Sequence, residues 1–214
     1  MKTDKKTILE LQENGYCVFE KRFEIPDELS LIAKSLTTDK SYKVGASYKT
    51  NIPEQIDSRL LQLVKNEKIE GVFKDFNNLI RCQDIFITHE YKNTTMERNN
   101  WLHFDRLRCL KAMVYLSDVE EGCGALSIVP GSHTKGAELR RGFQEMNSYE
   151  DKRNRIELDY PELMSEPVEI CAPSGTLILF DTDAFHKGGD VASDKERLII
   201  RSHWYVDMSW RIGS

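Results

Sequence analysis

His103 and Asp105 lie two positions apart in the sequence, so on a strand they project from the same face. A neutral imidazole beside a carboxylate supplies two of the three ligands of a 2-His-1-carboxylate facial triad. That triad holds Fe(II) and leaves positions open for a cosubstrate and O2. The third ligand must come from another strand. His186 is the strongest candidate, because it follows the apolar stretch 177–180 closely and precedes a Gly-Gly turn. A His-x-Asp pair also occurs as a hydrogen-bonded surface pair, and this is the competing reading of His103 and Asp105. Of the other histidines, His89, His133 and His203, the first and last read as structural, with His203 the closer case.

Downstream, Arg197 opens a β-rich run that ends near Tyr205. Alternation puts Arg197, Ile199, Arg201 and His203 on one face. Two guanidiniums on one strand face near a candidate iron site look like carboxylate clamps, since the planar fork matches a carboxylate bidentately. The alternative is an edge strand with its arginines in water.

These residues need a scaffold, and the rest of the chain supplies one. It has 214 residues, 40% hydrophobic and 30% charged, with a net charge of −5. That fits one globular domain with a buried core and argues against nucleic acid as a partner, which needs a basic footprint. No apolar run approaches the ~20 residues of a membrane span, and the charged start does not read as a signal sequence. Five cysteines at 17, 82, 109, 123 and 171, with no CxxC pair, suit a reducing cytoplasm.

The periodicity predicts helices over 4–13, from Asp27 onwards, and after Pro53, with a further helical pattern through Ile69, Val72, Phe73, Phe76 and Ile80. Residues 16–19 read as a short strand. Beyond residue 82 the texture turns β-rich, with strands expected at 84–91, 109–116, 125–129, 168–171, 175–180 and 197–206. Turn residues separate them. Helices followed by many short strands point to a mainly β domain with α, a closed or double-sheet architecture braced by N-terminal helices. The polar stretch 134–166 is expected to be an inserted lid.

The segment His103-Phe104-Asp105, the stretch from Tyr115 to His133 ending in Pro130-Gly131-Ser132-His133, and the run from His186 to Arg197 together resemble the phytanoyl-CoA dioxygenase family. The opening stretch from Leu11 to Val18 resembles that family's N-terminal helix and strand. The resemblance covers residues 7–206 in order. It implies a double-stranded β-helix (a jelly roll, cupin-like) and a non-haem Fe(II)/2-oxoglutarate-dependent dioxygenase. It implies His103, Asp105 and His186 as iron ligands and Arg197 as the anchor for the distal carboxylate of 2-oxoglutarate. Thr88 matches a strand that often adds a polar contact to that cosubstrate. His133 belongs to a structural turn and is not expected to ligate. Asp105 is retained, whereas related halogenases lose this carboxylate.

The expected organisation is a single domain, 1–214, with helical support over 1–81, a jelly-roll core over 82–206 and the lid at 134–166. The expected activity is hydroxylation of a small anionic metabolite, amino-acid-like or another carboxylate, by a cytoplasmic monomer or homodimer. Arg201 is the candidate for the substrate's acid, because a second buried cation beyond Arg197 needs a partner. Arg106 and the Arg140–Arg141 pair would add positive potential at the mouth. Arg201 could instead pair with Asp181 or Asp183. Two rival readings are a non-redox cupin-type metal enzyme and a jelly-roll binding module with a dead site.

Overall fold

A computed structural model describes residues 5–37, 46–50, 57–91, 101–145 and 156–206. Pro53, Ile56, Lys92, the charged run 150–155 and Trp210, all noted in the sequence, lie outside the described residues.

Among the described residues, nine strands make two antiparallel sheets. They are β1 (Tyr16–Phe19), β2 (Ala46–Thr50), β3 (Ile80–Tyr91), β4 (Leu110–Tyr115), β5 (Leu126–Ile128), β6 (Val168–Ile170), β7 (Leu177–Asp181), β8 (His186–Gly188) and β9 (Glu196–Val206). The major sheet runs β1-β7-β4-β9-β3-β2 and the minor sheet β6-β5-β8. This is the expected jelly roll. The expected strands all form, while β2 and the short β8 are additions. Ile80 opens β3 rather than closing a helix, because Asn77 ends the preceding helix and its side chain accepts from the Leu79 N–H.

Helices α1 (Lys5–Asn14), α2 (Asp27–Ser35), α3 (Ser58–Val64) and α4 (Glu67–Phe76) cover the outer face of the major sheet. Each starts or stops on local chemistry. Asn66 caps α4 by accepting from Lys68 and Ile69 N–H, and Gly15 ends α1 in the left-handed region at φ 79°. The apolar stripes then bury Leu11, Leu29, Ala33, Leu60 and Phe73 against Ala112, Val114, Leu179, Leu198 and Ile200. Leu9 escapes this stripe and is 54% exposed.

Alternation sends the opposite residues of the same strands inward. Met113, Tyr115, Ile178, Phe180 and Ile199 meet Leu126, Ile128 and Ile170 of the minor sheet. The functional side chains share this inner face.

The polar stretch after residue 133 is not simply a loop. It opens with α5 (His133–Glu145), and α6 (Ile156–Asp159) and a 3-10 turn (Pro161–Leu163) follow later. Leu139, Tyr160 and Leu163 pack on Leu102, Phe104, Ile156 and Phe185, which gives the segment its own small core.

Candidate metal centre

His103 and His186 are paired by backbone before any side chain is considered. His103 N–H donates to His186 O at 3.1 Å and His186 N–H to His103 O at 2.9 Å, an isolated antiparallel bridge at the edge of the minor sheet. Their rings lie side by side, centroids 4.7 Å apart. Asp105 is fixed by its N–H on Thr182 O at 3.0 Å and by Arg140 donating to its carbonyl at 2.6 Å.

Nδ1 of His103 lies 2.7 Å from Trp101 O, and Nδ1 of His186 lies 2.7 Å from Ala184 O. A carbonyl can only accept, so both Nδ1 atoms carry the proton and each Nε2 is left to present a lone pair. Those two Nε2 atoms stand 3.9 and 3.6 Å from one oxygen, Oδ1 of Asp105. The three ligating atoms lie within 4.8 Å of one another. Two imidazole lone pairs and a carboxylate oxygen facing one point suit a first-row divalent ion. The surface-pair reading fits poorly, since His103 is 7% exposed and the Asp105 side chain 23%.

The electrostatics agree with this donor set. Burial, with His186 nearby, pushes the His103 imidazole down to about 3, which keeps the ring neutral. Burial alone would raise the Asp105 carboxyl, but Lys111 and the two histidines hold it well below the usual carboxylate range. Lys111 Nζ sits 2.5 Å from Asp105 Oδ2. This lysine was missed in the sequence, although its signal was visible: a lone cation inside a six-residue strand that is buried throughout.

Arg197 lies in a central strand, not an edge, and is 4% exposed. It faces inward and donates through Nε to Glu90 Oε2 at 2.7 Å, with Nη2 on the same oxygen. Thr88, two residues from Glu90, is 2% exposed and its hydroxyl has no partner among the described residues. A guanidinium and an orphaned hydroxyl on the inner face, along β3 and β9 from the triad, fit a dicarboxylate cosubstrate that reaches in from the metal.

Arg201 also faces inward, its guanidinium 5.6 Å from the centroid of the Phe86 ring. The two acids considered for it have other arginine partners. Asp181 accepts from Arg108 at 2.7 Å and Asp183 from Arg140 at 2.6 Å. Arg140 is therefore a buried strut that joins α5 to the Asp105 loop, and no pocket-mouth cation. Its neighbours Arg106 and Arg141 have exposed side chains. His133 sits at the start of α5 with Nε2 3.2 Å from Gln12 O, and His89 pairs with Glu196 at 2.9 Å; neither joins the triad.

The model of one protein family, phytanoyl-CoA dioxygenase, matches residues 11–199. No curated protein sequence matches the chain. Among solved structures, the chain is similar to the non-heme alpha ketoglutarate dependent carbocyclase SnoK from nogalamycin biosynthesis. That match has 20% identity and a TM-score of 0.68, and covers 94% of this chain and 83% of that one. It is similar to HygX from Streptomyces hygroscopicus with nickel and 2-oxoglutarate bound, at 16% identity and TM-score 0.65, covering 96% and 88%. It is also similar to the epimerase SnoN in complex with Fe3+, alpha ketoglutarate and nogalamycin RO, at 16% identity and TM-score 0.70, covering 94% and 82%. At these identities the structural likeness speaks for the fold.

Proposed function

The chain belongs to the phytanoyl-CoA dioxygenase family, and from that premise we propose that it hydroxylates a small, polar, anionic metabolite, amino-acid-like or another carboxylate. It is an Fe(II)- and 2-oxoglutarate-dependent oxygenase, using O2 and a small-molecule substrate. The observation that carries the site reading is the convergence of two histidine Nε2 atoms on Asp105 Oδ1, with both Nδ1 atoms turned away to carbonyls.

In this reading His103, Asp105 and His186 hold the iron, Arg197 takes the distal carboxylate of 2-oxoglutarate and Thr88 donates its hydroxyl to it. Bound iron with 2-oxoglutarate and O2 supplies an oxidation strong enough for an unactivated C–H bond, with succinate and CO2 as co-products. The chain's own contribution is positional. The His103–His186 bridge fixes two donors, and Arg140 and Thr182 fix the loop of the third. The apolar inner face excludes water from the reacting groups. Arg201, inward-facing and beyond Arg197 on the same strand, is the group proposed to meet the substrate's acid.

The structural relatives include a carbocyclase and an epimerase, so ring closure or inversion at carbon is the second outcome for the same oxidising centre. All five cysteines are free thiols, which supports a cytoplasmic setting. No helix among the described residues is long and apolar enough to cross a membrane. A monomer or homodimer is proposed.

The test is iron-dependent succinate formation from 2-oxoglutarate across a panel of small acids. Asp105→Ala is expected to abolish it. Arg201→Gln is expected to lower substrate-triggered succinate while 2-oxoglutarate still binds. Metal binding with no 2-oxoglutarate turnover would favour a non-redox metal enzyme. Efficient turnover of a neutral, hydrophobic substrate with Arg201 dispensable would refute the anionic substrate.

A further inference from the structure

Lys111 is the only buried lysine among the described residues, 7% exposed in the middle of β4. It shares the inner face with Met113 and Tyr115, and its ammonium lies 5.6 Å from the centroid of the Phe180 ring. Taking an ammonium out of water is costly unless a partner repays it. The partner is one particular atom: Nζ stands 2.5 Å from Asp105 Oδ2, while Oδ1 of the same carboxylate faces both histidines. The two oxygens of Asp105 are thus divided between two tasks.

We propose that Lys111 is a positioning residue that reserves Asp105 Oδ2 and so restricts Asp105 to one-point ligation. This rests on the iron and 2-oxoglutarate reading above. A carboxylate can bind a metal through one oxygen or two. A facial triad is useful because it leaves open positions, and 2-oxoglutarate needs two of them while O2 needs another. A second Asp105 oxygen on the metal would fill one of these positions. An ammonium held on Oδ2 within an apolar wall keeps that oxygen occupied without taking up a coordination site.

The experiment compares wild type with Lys111→Met, which keeps the length of the stem and removes the charge, and with Lys111→Arg, which keeps a cation. Co(II) affinity is measured first by calorimetry at fixed pH. Next, 2-oxoglutarate affinity is measured on the metal-loaded proteins, using the metal-to-ligand absorption band of the anaerobic Fe(II) complex. Lys111→Met is expected to bind Co(II) as tightly as wild type or more tightly. Its 2-oxoglutarate affinity is expected to fall about 10–100-fold, the usual size of an outer-shell effect. Lys111→Arg is expected to recover at least part of that affinity. If Lys111→Met does not fold, Lys111→Gln takes its place as the neutral variant, with the same expectation.

Unchanged 2-oxoglutarate affinity in the neutral variant overturns the proposal. Parallel loss of Co(II) and 2-oxoglutarate binding also overturns it, because the side chain would then be merely supporting the site. Equal losses in the neutral and Arg variants do the same, because shape rather than charge would be responsible. If wild type itself binds no 2-oxoglutarate on the metal, the cosubstrate reading fails, an outcome distinct from the failure of the Lys111 role.

Discussion

Glu90 and Arg197 stand opposite one another on β3 and β9, and a single oxygen, Oε2 of Glu90, accepts from both Nε and Nη2 of the guanidinium. The cosubstrate's distal carboxylate, in its proposed place, needs the same two N–H groups. Glu90 then competes with it as an internal counter-ion. Glu90→Gln is expected to tighten 2-oxoglutarate binding by up to about tenfold, or ~1.4 kcal/mol. Arg197→Lys is expected to weaken it by at least a similar factor, since an ammonium offers no fork. Anaerobic absorbance titrations of both variants check this, and weaker binding in Glu90→Gln would show that Glu90 positions Arg197 instead of competing for it.

Thr88 separates binding from stability. Its buried hydroxyl has no partner among the described residues, so replacing it by an isosteric methyl leaves no protein group unpaired. Thr88→Val is expected to leave the denaturant midpoint of the cosubstrate-free protein unchanged or slightly raised. The same change is expected to weaken 2-oxoglutarate binding by ~1.5–3 kcal/mol, the scale of a hydrogen bond to a charged group. Parallel chemical denaturation and 2-oxoglutarate titration measure the two effects.

Two glycines of α5 carry opposite expectations. A Cβ at Gly136 would lie 1.8 Å from the carbonyl oxygen of Asp183, a backbone atom that cannot swing aside. Nothing among the described residues lies within 4 Å of a Cβ at Gly142. Alanine gains up to about 1 kcal/mol over glycine in a helix, while overpacking costs about 1–3 kcal/mol or more. Gly142→Ala is therefore expected to stabilise and Gly136→Ala to destabilise. The contrast should appear in thermal melts of the two variants side by side.

His203 predicts an acid-side weakness. Burial, then Lys111 and Arg201, push its imidazole far below the ordinary histidine range, against a smaller opposing pull from Asp105. The Phe86 ring covers it at 4.8 Å and the Tyr205 hydroxyl stands 3.3 Å from Nδ1. The unfolded chain takes up this proton near pH 6.5 and the folded chain resists it, so stability falls as pH drops below that value. One such group contributes up to about 1.4 kcal/mol per pH unit. His203→Gln is expected to flatten the decline between pH 6 and 4, read from denaturation midpoints across that range. An unchanged slope would mean that other groups govern it.

Much of this was legible in the sequence because period and spacing are local. The His103–Asp105 pair, the strand alternation of Arg197 and Arg201, and the helical patterns from Asp27 and through Ile69, Val72 and Phe73 all follow from residues close in the chain. The partners were not legible, because they are set by register between strands far apart in sequence. Glu90 meets Arg197 only because β3 pairs β9 with those residues opposite. Lys111 meets Asp105 only once β4 lies beneath the metal loop. Arg140 read as a pocket-mouth cation because its buried partners, the carbonyls of Asp105 and Arg106 and the carboxylate of Asp183, come from elsewhere in the fold.

Three acid–base pairs lie about the inner site: Glu90 with Arg197, Asp105 with Lys111, and Asp183 with Arg140. Taken together these paired groups are electroneutral, and the inward-facing Arg201 adds one positive charge before any ligand arrives. A divalent cation entering alone would leave surplus positive charge in a poorly solvated space, and a dicarboxylate alone would leave surplus negative charge. Arriving together, they cancel. Each therefore lowers the free energy of the other's entry, and thermodynamic linkage makes the effect mutual: the factor by which the metal tightens the dicarboxylate is the factor by which the dicarboxylate tightens the metal.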